Sequence, residues 1–191
     1  MEAELHTIVA TEVAMLVKDI MTRDVISCRP ENNLVELARV MRKQRCGALP
    51  MVDGSGSVMG IITDRDICIA LGRRNIRASD LLARDVSPPG CICCRPDNDV
   101  REALRTMATQ GVGRLPVVDE ASHLVGILSI DDIIYRAGGG CSGLSDREIV
   151  DTMKQMREEH IHQPAVVTQE ENDSNSHIRM PMNYEHMNTK R

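Results

Sequence analysis

Apolar positions recur along this chain with two different spacings. At Leu34, Leu37, Ala38 and Met41, and again at Val100, Ala103, Leu104 and Met107, the intervals are those of one buried helical stripe. Asn33 with Glu36, and Asp99 with Glu102, read as helix start signals, and Gly47 or Gly113 follows the helix end. Short apolar runs at Leu49–Val52 and Val58–Thr63, then at Leu115–Val118 and Leu124–Ser129, predict strands. Their connections, DGSGS and DEASH, are turn-like, so each pair reads as a hairpin. A further helix begins near Asp64 and another near Ile130. A short extended piece precedes Pro30 and Pro96. The pattern is β-α-β-β-α, twice over.

The two sets are copies of one another. Displaced by 66 residues, Ile26–Ile67 lies on Ile92–Ile133 without a gap. Cys28/Cys94, Arg29/Arg95, Pro30/Pro96, Glu36/Glu102, Gly47/Gly113, Pro50/Pro116, Asp53/Asp119, Gly60/Gly126 and Asp66/Asp132 are among the identities. Upstream, Asp19-Ile20-Met21 matches Asp80-Leu81-Leu82 at a displacement of 61, which implies a five-residue insertion near Pro88-Pro89-Gly90. The fold class is α/β (α+β): two repeats packed as a pseudo-twofold pair, each too small to hold a robust core alone. Clefts between packed repeats are favoured places for small molecules.

Around the pair the reading gives an N-terminal arm over 1–16, repeat 1 over 17–76, repeat 2 over 77–137, a linker and helix over 138–162, and a disordered tail over 163–191. Gly138-Gly139-Gly140 breaks the chain. Ser145 with Glu148 reads as a capping box opening a helix that carries Ile149, Val150, Met153 and Met156 on one side. From Gln163 the chain is polar and without periodicity.

Composition narrows the chemistry. The chain has no Phe, no Trp and two tyrosines, Tyr135 and Tyr184, so the core is aliphatic and no platform exists for base stacking. A net charge of −5 is the wrong sign for a nucleic-acid partner. No run approaches the roughly 18 apolar residues of a membrane span. Seven cysteines, an odd number without framework spacing, point to free thiols in a reducing cytoplasm.

The string Gly60-Ile61-Ile62-Thr63-Asp64-Arg65-Asp66-Ile67, preceded by Leu49-Pro50-Met51-Val52-Asp53 and, upstream, Asp19-Ile20-Met21-Thr22, resembles a CBS domain. The duplication over Val17–Ala137 resembles a tandem CBS pair, or Bateman module. That resemblance implies a regulatory sensor without catalysis, which binds an adenosine-containing ligand such as AMP, ADP, ATP or S-adenosylmethionine between the repeats and dimerises with itself. It requires no cofactor beyond that regulatory ligand, and its target is an unidentified protein. Carried over by position, Asp66 and Asp132 hold ribose, Thr63 and Ser129 lie near ribose and phosphate, and Arg114 contacts phosphate. Ala48 stands opposite Arg114 in repeat 1, so the two sites are unequal. The second motif reads SIDDI rather than TDRDI, and PPGCI sits near the strand where adenine rests.

The same residues have a plainer reading. Thr63…Asp66 and Ser129…Asp132 are S/T-x-x-D patterns that start helices. As chemistry, a carboxylate accepts hydrogen bonds from both ribose hydroxyls, and a helix N-terminus favours an anion. Two alternatives stand beside the sensor: a ligand-free dimerising scaffold whose 141–162 helix docks on a partner, and a thiol-based metal or redox sensor through Cys91, Cys93 and Cys94. Zinc sites usually need two separated ligand pairs, so inert thiols are the favoured reading of Cys91-Ile92-Cys93-Cys94. His160 and His162, beside Glu158 and Glu159, read as a solvated helix end. Arg73, Arg74 and Arg77 read as a basic linker. No P-loop, Rossmann fingerprint, nucleophile elbow or kinase signature occurs.

Overall fold

In the computed structural model the described residues are 14–87, 90–137 and 144–161, with side chains as far as 156. The glycine break, Cys141, most of the N-terminal arm, the side chains of His160 and His162, and the tail lie outside them. The elements are α1 (Val17–Ile20), α2 (Leu34–Gln44), β1 (Ala48–Val52), β2 (Val58–Thr63) and α3 (Asp64–Arg74), then a 3-10 turn (Ala78–Asp80). They continue with α4 (Ala83–Val86), α5 (Val100–Gln110), β3 (Arg114–Val118), β4 (Leu124–Ser129), α6 (Ile130–Ala137) and α7 (Asp146–Ile161).

Each hairpin is antiparallel, β1 with β2 and β3 with β4, and each is bulged at the same place, between Met51 and Val52 or Val117 and Val118. The extended piece ahead of each repeat joins its hairpin through one parallel bridge, Cys28 to Met51 and Cys94 to Val117. Asp53 shapes the first turn, where Oδ1 accepts from Ser55 N and Ser57 N at 2.8 and 3.0 Å. Asp119 does the same for Ala121 N and His123 N at 2.9 and 2.8 Å. The two turns pair with each other, Val58 N donating to Ser122 O and Leu124 N to Gly56 O. Gly56 and Ser122 hold equivalent left-handed conformations there, with φ of 92° and 66°.

α2 starts as its sequence predicts, in a reciprocal capping box between Asn33 and Glu36; at α5 the Asp99 side chain instead accepts from Arg101 N. Its stripe differs from expectation at one position: Leu34, Leu37 and Met41 are buried and Ala38 is exposed. Gly47 and Gly113 follow the helix ends as expected, and the helices are capped two residues before them by the left-handed residues Arg45 (φ 53°) and Gly111 (φ 63°).

The leading segments are exchanged. α1 belongs by sequence to the first copy, yet Val17, Ile20 and Met21 are buried with Val100, Leu104, Met107, Leu115 and Leu128 of the second. Conversely Leu81, Ala83 and Val86 complete the core of Leu34, Leu37, Met41, Leu49 and Ile62. Matching backbone bonds hold them. Val17 N donates to Asn98 O and Lys18 N to Pro96 O, as Ala83 N does to Asn32 O and Arg84 N to Pro30 O. Val100 N reaches Met15 O just as Leu34 N reaches Leu81 O.

Every one of these pairs is offset by the same 66 residues, which corrects the alignment drawn from sequence. α1 is the counterpart of α4, Lys18-Asp19-Ile20 lying on Arg84-Asp85-Val86 rather than Asp19-Ile20-Met21 on Asp80-Leu81-Leu82. There is no insertion: Pro88-Pro89-Gly90 stands where Thr22-Arg23-Asp24 stands in the first copy. The three-residue match rests on one identity, Asp80 with Asp19, and on Leu81 and Leu82 being apolar like Ile20 and Met21.

α7 opens in its expected capping box, Ser145 N donating to Glu148 Oε2 at 2.9 Å and Glu148 N to Ser145 Oγ at 3.2 Å. It packs on α5 of its own chain, burying Leu144 and Ile149.

Two outcomes are expected. A fragment of residues 17–76, cut at the sequence repeat, lacks Leu81, Ala83 and Val86; it gains little helical circular dichroism or amide protection, whereas residues 25–90 gain both. Protection of 17–76 equal to that of 25–90 contradicts the exchange. The second concerns acid. Asp53, Asp119 and Glu148 are held below the usual carboxylate range: Asp53 first by the Ser55 hydroxyl, Asp119 by the His123 amide and Glu148 by the Ser145 amide. Folding depresses these pKa values, so their stabilisation is complete above the unfolded carboxylate range and is lost as pH falls through the folded values. Urea midpoints measured downward from pH 5 fall, and Asp53→Asn with Asp119→Asn flattens that fall.

Candidate functional site

The paired motifs sit at the N-termini of α3 and α6, immediately after the second strand of each hairpin. Thr63 is extended, at φ −113° and ψ 162°, so its hydroxyl accepts from Asp66 N at 3.2 Å. Asp66 Oδ2 in turn accepts from Thr63 N at 2.8 Å and Thr63 Oγ1 at 2.7 Å. Ser129 and Asp132 repeat the arrangement, with Asp132 Oδ2 accepting from Ser129 N at 2.9 Å and Ser129 Oγ at 2.5 Å. Both motifs are therefore genuine caps, each using a single carboxylate oxygen. Asp66 is buried, at 5% exposure, and Asp132 is half-buried.

What lies beside the second cap follows from the exchange. Thr22, carried across with α1, pairs with Ile127 of β4: Thr22 N donates to Ile127 O and Ile127 N to Thr22 O, both at 2.9 Å. That places Thr22 Oγ1 3.4 Å from Asp132 Oδ1, the carboxylate oxygen not used in the cap. An open cavity of about 620 Å³ begins here, lined by Lys18, Asp19, Met21, Thr22, Arg23, Asp24 and Arg136. Arg136 Nη1 donates to Ile20 O at 2.9 Å and Arg23 Nη2 to Lys18 O at 3.0 Å, so both guanidinium groups brace the exchanged segment while bringing positive charge to the wall.

Arg114 opens β3, is exposed, and is the register partner of Ser129 across the hairpin. Cross-strand partners lie side by side. Its counterpart Ala48 is buried opposite Thr63. The structure thus brings Ser129, Asp132 and Arg114 together, and separately Thr63 and Asp66. Sequence reasoning missed Lys18, Thr22, Arg23 and Arg136, because the first three belong in sequence to the other copy. The signal that could have found them is the repeat of Lys18-Asp19-Ile20 as Arg84-Asp85-Val86, which places Met21 and Thr22 against β4.

On the Asp66 side, Pro88 holds the sequence position of Thr22. Proline has no N–H with which to reach the equivalent carbonyl, Ile61 O. Ser87 Oγ donates to that carbonyl instead, at 3.2 Å.

The cysteine run is split. Cys94 is buried in the second core, and its thiol is pushed up to about 12 by burial. Cys28, its counterpart, is pushed up to about 11 for the same reason. Cys91 and Cys93 are half-buried and act on each other: the Cys91 thiol stabilises the Cys93 thiolate, which lowers Cys93 and raises Cys91. Among the described residues no three His, Cys, Asp or Glu side chains come together as a metal site would need.

The CBS domain family matches residues 17–73 and 79–139. The chain belongs to the CBS domain family, as a tandem pair. It is 34% identical over 118 residues to protein MK0525 of Methanopyrus kandleri, covering 62% of this chain and 60% of that one. It is 32% identical over 135 residues to an inosine-5'-monophosphate dehydrogenase of Methanocaldococcus jannaschii, but there the match covers 71% of this chain and only 25% of the enzyme. The structure of the CBS domain pair of protein MJ0100 in complex with 5'-methylthioadenosine and S-adenosyl-L-methionine superposes with a TM-score of 0.60 at 29% identity, over 66% of this chain and 98% of that one. The expected family and fold are borne out. The chain spans 60% or less of these two curated relatives.

Close packing of the exchanged segment is testable at Gly126. A Cβ there meets Met21 Sδ at 2.6 Å and Thr22 O at 3.1 Å. Gly126→Ala is expected to cost about 1–3 kcal/mol, the usual range for overpacking. Thermal denaturation reads it, and an unchanged midpoint shows that the segment is not held where it lies.

Proposed function

We propose that this CBS pair is a regulatory module without catalysis that binds an adenosine nucleotide of the AMP, ADP or ATP type in the cleft between its repeats. The observation that carries this is the geometry at Asp132: one carboxylate oxygen builds the helix cap and the other accepts from the hydroxyl of Thr22, which lines a cavity walled also by Lys18, Arg23 and Arg136, while Arg114 stands across the hairpin from Ser129. The free oxygen suits a ribose hydroxyl, displacing only the long Thr22 contact. The α6 N-terminus and the neighbouring cations suit phosphate. Thr63 and Asp66 form the second, unequal site, buried more deeply and with Ala48 in place of the cation. No cofactor is required besides the regulatory ligand.

Without aromatic side chains to stack on, the adenine rests on aliphatic ones. Ile26 and Ile92 stand at equivalent positions on the two leading segments, 40% and 39% exposed. Binding favours one packing of the repeats, and a target protein reads the difference. We further propose a homodimer, supported by Ile134 and Tyr135 standing exposed together on α6. Repeats over 17–76 and 77–137, a linker and helix beyond them, and a cytoplasmic setting favoured by the free thiols complete the reading.

Calorimetric titration with AMP, ATP and S-adenosylmethionine tests it. Asp132→Asn keeps an acceptor for the cap and is expected to weaken all three by roughly tenfold or more, the loss of a charged hydrogen bond. Arg114→Ala weakens only the phosphorylated ligands. If none of the three binds, or both variants bind as the parent does, the reading fails.

A further inference from the structure

The outer helices of the two copies are treated differently. α5 is covered: α7 lies along it, with Leu144 and Ile149 buried and Met153 and Met156 half-buried against the cluster that holds Leu104. Charge assists, since Arg101 Nε lies 3.7 Å from Glu148 Oε1 and Arg105 also attracts that carboxylate. The docked helix brings Asp146, Glu148 and Asp151 to its N-terminal half.

The 66-residue offset carries the α7-covered side of α5 onto α2. There the exposed Ala38 replaces Leu104, and exposed Arg42 replaces the buried Ala108. Arg39, Arg42 and Lys43 fall at i, i+3 and i+4, on one side of the helix, and Arg45 follows at its C-terminus. All four are exposed, and among the described residues none has an acidic partner. Glu36, the nearest acid on the helix, has its carboxylate turned to Asn32 Nδ2 and Asn33 N. Four cations within about two turns repel one another, a cost that an anion would relieve.

We propose that this face of α2 docks an acidic amphipathic helix of another protein, in the manner in which α7 covers α5. Ala38 leaves room where Leu104 fills it, so the incoming helix supplies the larger apolar side chains and its carboxylates meet Arg39, Arg42 and Lys43. The patch covers only about 10 Å of helix, at 1.5 Å per residue, short for the phosphate track of a nucleic acid. The same architecture already holds an acidic helix at the equivalent place.

The test uses the full chain and a fluorescently labelled peptide of residues 144–161 as the acidic helix. Because α5 is occupied in the protein, saturable binding reports a second place. Expected is binding that weakens roughly tenfold between 50 and 300 mM salt and is lost in the variant Arg39→Gln, Arg42→Gln, Lys43→Gln, whose thermal midpoint shows that it folds. Absence of binding, or binding that the triple variant retains, overturns the proposal. So does preferential binding of the parent to duplex DNA or to phosphatidylserine vesicles under the same conditions, which would assign the patch to a different polyanion.

Discussion

The reciprocal backbone bonding of the two leading segments governs the remaining architecture. Val17 N and Ala83 N each reach a carbonyl in the loop before the other copy's long helix, Asn98 O and Asn32 O. These bonds satisfy helix-terminal groups that would otherwise be unpaired, and they place Val17 and Ala83, both fully buried, into cores otherwise made by the opposite copy. Each core is thereby completed by the segment that leads the other copy, aliphatic throughout and without any large ring to fill space. Pairing between the hairpin turns, through Ser122 O and Gly56 O, adds a second seam.

From that exchange the difference between the two clefts follows. Thr22 closes two ladder bonds with Ile127 and brings its hydroxyl to Asp132, whereas the sequence position of Thr22 in the other copy is a proline, which has no N–H to donate. In the second cleft wall Thr22 pairs with β4 through its backbone, whereas on the other side the Ser87 hydroxyl donates to Ile61 O. Arg114 against Ala48 then adds charge to the same side. The asymmetry is therefore concentrated on the cleft at Asp132, while both caps remain intact.

Most of the secondary structure was readable because short-range rules fix it. The helix stripes, the Asn33–Glu36 and Ser145–Glu148 boxes and the hairpin limits all depend on neighbours within four residues. The capping residue of α2 was not readable, because Arg45 adopts a left-handed conformation that its identity does not advertise. The exchanged segments were beyond such rules: nothing local to Val17 states that its neighbours are Val100 and Leu115. Nor does a stretch of sequence tell on which helix α7 rests, a matter decided by Leu104 and Ala108 standing where α2 carries Ala38 and Arg42.

The exchange also has a consequence for how the chain is made. Thr22 cannot reach its pairing partner until Ile127 exists, so Val17, Ile20 and Met21 wait for more than a hundred further residues without their core. The first copy, by contrast, is complete once Val86 has emerged. Closure across so long a span is entropically slow, and segments that wait are the ones other molecules can capture. Assembly therefore runs from the inside outward, with α1 among the last elements of the pair to settle.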